Sequence, residues 1–140
     1  MPAVAPTGPW EMCLTMGRHW GWTPDDKELK SPLRLVRTLI EVTSRGGNLL
    51  LNTGIRGDGS IDSNQRQHFA LIEEWMKLHQ RSVIGVEPAS GIDFYGPITR
   101  TEKSIYLHLL FQPVKEFTIR GLPVDRIKRV ILMATGEELP

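Results

Sequence analysis

The sequence predicts an α/β segment followed by an all-β segment, and three patterns predict it. Apolar residues recur at three- and four-residue spacing in two stretches before residue 80. One short continuous apolar run, Leu49-Leu50-Leu51, lies between those stretches. Beyond Arg81 the apolar period falls to two, the repeat of a strand.

The first helix has a marked start and stop. Ser31 suits an N-cap, and Pro32 sits at the first helical position, where its missing N–H removes no hydrogen bond. Leu35, Val36, Leu39, Ile40 and Thr43 make one buried face, and Gly46 or Gly47 supplies a left-handed stop. Asn48-Leu49-Leu50-Leu51-Asn52 then reads as a strand buried on both faces of a parallel sheet. Residues 53–61, rich in glycine and polar side chains, form a loop. A second helix over 62–80 puts Phe69, Ile72, Trp75, Met76 and His79 on one side, with Glu73 and Lys77 on the other. This alternation belongs to α/β domains, yet so few elements cannot close a barrel or complete a doubly wound sheet.

In the second half, Ile105, Leu107, Leu109 and Phe111 alternate with Tyr106, His108 and Leu110, as in a half-buried antiparallel strand. Pro113-Val114-Lys115 reads as a turn, 116–120 as a strand and Gly121-Leu122-Pro123 as a further turn. Another strand is expected over 129–135, with Gly136-Glu137 opening a turn toward the terminus. Strands at this spacing indicate a β-sandwich begun but not finished. The boundary falls near residue 80, giving segments 1–80 and 81–140.

Composition narrows the function. Seventeen basic and sixteen acidic residues are interspersed, so no basic stripe points to nucleic acid or an anionic membrane. The apolar runs are far too short to cross a bilayer as a helix. Cys13 is the one cysteine, which excludes an internal disulfide and a cysteine-rich metal site. Lying in an expected strand, it reads as a buried, inert thiol. Pro2, Pro6 and Pro9 make the first nine residues an extended lead-in without the basic and apolar regions of a secretory signal.

Chemistry concentrates at Trp10-Glu11 and Trp20-Gly21-Trp22, which hold three of the four tryptophans. Flat indole faces beside a carboxylate suit a sugar ring, whose apolar face stacks while the acid serves hydroxyls or the glycosidic oxygen. The plainer reading makes Trp10 and Trp20 core residues and Glu11 a surface acid. His19, His68, His79 and His108 lie on different elements without metal-ligand spacing, and only His19 adjoins the tryptophans. Thr23-Pro24-Asp25-Asp26 reads as a proline-initiated turn with solvated acids. The glycines of 54–59 do not have phosphate-loop spacing, and Arg56-Gly57-Asp58 is too short a match to an adhesion tripeptide to carry weight.

Taken in order, these stretches resemble the alpha-L-fucosidase family of retaining glycoside hydrolases. The matching motifs are Trp10-Glu11-Met12-Cys13, Trp20-Gly21-Trp22 leading to Asp25-Asp26, and Lys30-Ser31-Pro32. Gly46-Gly47-Asn48-Leu49-Leu50-Leu51-Asn52 and Asp58-Gly59-Ser60-Ile61 follow, with Trp75 and Tyr106-Leu107-His108 fitting as well. The resemblance implies a (β/α)8-like barrel followed by a β-sandwich. Residues 1–80 would be the last βα units of the barrel, and residues 81–140 an incomplete start of the sandwich. It implies hydrolysis of terminal alpha-L-fucose from glycans, with no cofactor and no metal. Members are often secreted, periplasmic or lysosomal.

Residue by residue, Glu11 matches a glutamate at the active-site end of a barrel strand, either as general acid/base or as a structural or sugar-hydroxyl contact. Trp20 matches an aromatic position against the fucose ring and methyl group, with Trp10 and Trp22 beside it as substrate-binding residues. Asn52 and loop 54–59 match the end of the last strand, although the family more often has Gly-Pro-Thr where Gly54-Ile55-Arg56 stand here. The family's nucleophilic aspartate, in a Trp-x-Asp segment, precedes the Trp-Glu motif. These 140 residues therefore supply at most one carboxylate of the pair, and little or no turnover is expected from them alone. The alternative is a noncatalytic carbohydrate-binding or interaction module derived from a shortened glycosidase.

Overall fold

The computed structural model of the chain describes residues 6–111 and 116–140. Strand β1 (Trp10–Thr15) pairs in parallel with β2 (Gly47–Asn52), in register from Trp10 opposite Gly47 to Thr15 opposite Asn52. Helix α1 (Pro32–Thr43) connects them, forming one βαβ unit. Its start is as expected: the Ser31 hydroxyl accepts the Arg34 N–H at 3.2 Å and Pro32 opens the first turn. After Thr43 the chain leaves through Gly46, whose φ of +75° only glycine adopts without strain.

Helix α2 (Ser63–His79) is capped by the Asp62 carboxylate, which accepts the Asn64 N–H at 2.9 Å. Both predicted helix faces contribute to the core. Val36 and Ile40 of α1 pack with Val83, and Leu39, Ile72, Trp75, Met76 and Leu110 close around them.

The β1–β2 sheet differs from expectation. Burial alternates along both strands, and Leu50 is 43% exposed rather than enclosed. Cys13 is also exposed, contrary to its reading as a buried thiol. Among the described residues nothing covers the face that carries Glu11, Cys13, Asn48 and Leu50. A run of three leucines records high apolarity, but whether both faces are covered depends on what lies opposite.

The second half is β-rich, with shorter pairings than the alternation suggests. Strands β3 (Glu87–Pro88), β4 (Ile98–Arg100) and β5 (Ile105–Leu107) form an antiparallel sheet in that order. The strand expected to reach residue 111 stops at Leu107, with the His108 N–H still bonded to the Pro97 carbonyl at 3.0 Å. The buried side is also reversed: His108 is buried and Leu110 packs on the core, while Ile105, Leu109 and Phe111 are exposed. In place of a strand over 116–120, Arg120 makes an isolated bridge to Asp93. The turn expected at Pro113-Val114-Lys115 lies outside the described residues. Near the end, β6 (Val130–Leu132) turns back earlier than expected, and β7 (Glu137–Leu139) pairs with it. Strands of three residues bury too little for periodicity alone to fix their ends.

Candidate active site

In parallel α/β units the loops at the carboxyl ends of the strands carry ligand contacts. Here β1 and β2 end at Thr15 and Asn52, and the segments that follow are knitted together. The Met16 N–H donates to the Asn52 carbonyl at 2.8 Å, and the Asn52 amide donates to the Trp20 carbonyl at 2.7 Å. Gly54 lies against the backbone of Gly21 and Trp22. A Cβ there would come within 2.6 Å of the Trp22 nitrogen, so the approach requires glycine. Deeper in this loop pair, the Thr53 hydroxyl donates to the buried Gln65 side chain.

A clasp formed by two side chains shapes the loop after β1. The Lys30 ammonium donates to the Gly17 carbonyl at 2.7 Å and to the Thr15 hydroxyl at 3.2 Å. The Asp26 carboxylate accepts the Arg18 N–H at 2.9 Å and the His19 N–H at 3.1 Å. The Arg18 N–H, and more weakly the His19 N–H and the nearby positive charges, hold the Asp26 carboxyl below its ordinary range. The turn expected at Thr23-Pro24-Asp25-Asp26 is present, with the Asp26 N–H on the Thr23 carbonyl. Only Asp25 is the solvated acid of the sequence reading; Asp26 is engaged with the backbone.

The tryptophans separate into two places. Trp20 is 62% exposed at the carboxyl end of the sheet, with its carbonyl anchored to Asn52. Trp22, two residues on, is half-buried with the Arg56 guanidinium over its ring, 5.4 Å from the centroid. Arg56 also pairs with Asp62, whose carboxyl is held low by the Asn64 N–H first, then by Arg56 and the Trp22 side chain. Trp22 is thus engaged within the protein. Trp10 sits at the opposite end of β1, roughly 16 Å from Thr15 at ~3.3 Å per residue. Its ring lies across Gly47, and its indole N–H donates to the Arg45 carbonyl at 3.2 Å. That is a packing position, away from the loops that hold Trp20.

Glu11 is the second residue of β1, so it stands toward the start of the strand rather than at the active-site end that the resemblance implies. It shares a sheet face with Cys13 and Thr15, and its carboxylate accepts the Asn48 amide at 2.5 Å. Strand alternation explains the split: neighbouring residues point to opposite faces, so Trp10 and Glu11 cannot share one wall. Asn52, Trp20, Trp22 and the 54–59 loop are brought together; Glu11 lies deeper on the open face, and Trp10 lies elsewhere. Among the described residues no group of three or more His, Cys, Asp and Glu could hold a metal ion. Within them, no helix is long and apolar enough to cross a membrane.

Sequence reasoning missed the Asp26–Lys30 clasp and the Arg56–Asp62 pair. Both join residues of ordinary loop composition and become visible only once two loops are folded against each other.

The family model described as alpha-L-fucosidase matches residues 1–81. A tissue alpha-L-fucosidase of Bos taurus is 23% identical over 124 residues, which cover 86% of this chain and 26% of that protein. The structure of alpha-L-fucosidase isoenzyme 1 from Paenibacillus thiaminolyticus superposes with a TM-score of 0.90 at 30% identity, over 99% of this chain and 34% of that one. A Thermotoga maritima alpha-fucosidase solved in complex with fucose superposes with a TM-score of 0.66 at 29% identity, over 71% of this chain and 25% of that one. The chain therefore spans about a quarter of the length of the curated relative and about a third of the Paenibacillus structure.

Proposed function

The chain belongs to the alpha-L-fucosidase family, and on that premise we propose that it contributes part of a site that removes terminal alpha-L-fucose from glycans with retention of configuration. In this reading residues 1–80 are the last βα units of a (β/α)8-like catalytic barrel, and 81–140 begin a β-sandwich domain. The observation that carries the proposal is Trp20: an exposed indole, anchored through its backbone at the carboxyl end of two parallel strands. A deoxy sugar offers an apolar patch that such a ring covers, while its hydroxyls face polar groups.

Retaining hydrolysis needs two carboxyl groups about 5–5.5 Å apart. One attacks the anomeric carbon; the other protonates the leaving oxygen and then activates water. Glu11 is the acid that the family resemblance offers from this chain. Its place at the start of β1 and its bond to Asn48 suit a structural or sugar-hydroxyl contact better than an acid at the barrel mouth. The family resemblance puts the nucleophilic aspartate ahead of the Trp-Glu motif, so little or no turnover is the expectation for these residues alone. Assay of the chain on an aryl alpha-L-fucoside tests this, and rates comparable to those of intact glycosidases would overturn it.

A further inference from the structure

We propose that Arg56 is a specificity-determining contact for the sugar that carries the fucose, and that this sugar is a neutral, hydroxylated one. The proposal rests on the fucose-binding reading of Trp20 and extends it to the neighbouring subsite.

The guanidinium is fixed on two sides. One face covers Trp22 at 5.4 Å, and one edge is paired with Asp62. The side chain is nevertheless 42% exposed, so part of it stays open to solvent beside its partners. A guanidinium carries five N–H donors in a rigid plane, more than one carboxylate occupies. A donor already held in place loses little rotamer freedom when a ligand arrives, which favours its use in recognition.

Its position also fits. Gly54 presses the base of this loop onto the Gly21–Trp22 backbone, directly after Trp20. In this proposal a ring stacked on Trp20 directs its leaving group toward the 53–61 loop, whose base lies against the backbone that follows Trp20. Trp22 is among the indoles the resemblance offers for stacking on sugar, but Arg56 lies over its ring. At that point the group offered to a ligand is therefore a planar hydrogen-bond donor rather than an indole. Asp62 balances the charge of Arg56, so hydroxyl oxygens are the matching acceptors and a sulfated or carboxylated sugar gains no net attraction.

The test is an NMR titration of the full 140-residue chain, following the indole N–H signals and the Arg56 Nε–H. The probes are methyl alpha-L-fucoside, a neutral alpha-L-fucosyl-galactose disaccharide and its sulfated counterpart. The disaccharide should bind roughly tenfold more tightly than the methyl fucoside, as expected for one added hydrogen bond from a charged donor. Arg56→Ala should erase that advantage while leaving methyl fucoside binding unchanged. Arg56→Lys, which keeps the cation but loses the planar fork, should recover only part of it.

An advantage that survives Arg56→Ala, or a disaccharide no tighter than the methyl fucoside, overturns the Arg56 contact and leaves the fucose reading intact. Preference for the sulfated sugar overturns the neutral assignment. If no probe moves the Trp20 indole signal, both the Arg56 contact and the sugar reading of this chain fail.

Discussion

His108 makes folding of this chain sensitive to acid in a defined window. The residue is 8% exposed, enclosed beside Thr99 of β4, whose hydroxyl also reaches Ser82 just after α2. The Thr99 hydroxyl spends its one proton on the Ser82 carbonyl at 2.6 Å, so it can only accept from the imidazole Nε2–H at 3.0 Å. That assigns the neutral tautomer with its proton on Nε2. Burial, reinforced by nearby His79 and opposed by the Ser82 carbonyl, pushes the pKa down from 6.5 to about 4. Above pH 6.5 the ring is neutral in both folded and unfolded chains, and its contribution does not vary with pH. As pH falls from 6.5 toward 4 the unfolded chain takes up a proton that the folded chain refuses, so stability is lost. A depression of about 2.5 units at 1.36 kcal/mol per unit gives roughly 3 kcal/mol lost by pH 4. His79, also lowered by burial, adds in the same direction. Asp26 and Asp62, held below 3.8, contribute mainly at lower pH. Urea unfolding of the wild-type chain and of His108→Gln at several pH values between 4 and 7.5 measures the slope directly. The variant should be less stable at neutral pH yet lose most of the slope. An unchanged slope, or a His108 imidazole that titrates near 6.5 by NMR, would refute the reasoning.

Three substitutions test the site and its support. Gly47→Ala places a Cβ inside the Trp10 ring, and thermal denaturation should register a loss of about 1–3 kcal/mol. Asp26→Ala removes the acceptor for the Arg18 and His19 amides, so hydrogen exchange at those two amides should accelerate while that of α1 stays unchanged. Trp20→Ala should abolish the sugar response yet change stability by no more than about 0.5 kcal/mol, because the side chain is exposed. A large loss of stability would instead make Trp20 a packing residue.

Legibility in the sequence followed the range of the interactions involved. Ser31, Pro32 and the glycines at 46–47 bounded α1 because caps and left-handed stops act within a few residues. The faces of α1 and α2 were readable because a helix repeats its pattern over several turns. The second half offered no such repetition. Strands β3 and β4 contain or adjoin Pro88 and Pro97 and have no alternation to detect. The apolar residues at 105, 109 and 111 proved to be the exposed set, since the polar His108 found its partner in buried Thr99.

The tryptophan and glycine motifs were enough to mark the family and to nominate the residues of the proposed site, because the types and order of residues are carried by the chain itself. Their division of labour was decided by the fold. A one-residue step along β1 sends Trp10 and Glu11 to opposite faces, and a glycine contact between two loops places Arg56 over Trp22. Local sequence determined which elements form and where they start and stop, since caps, prolines and periodicity act on neighbouring residues. Tertiary structure alone decided which indole stays exposed and which carboxylate becomes a clasp. Those outcomes depend on groups that meet only after the strands have paired, with Asn52 reaching Trp20 across 32 positions of chain.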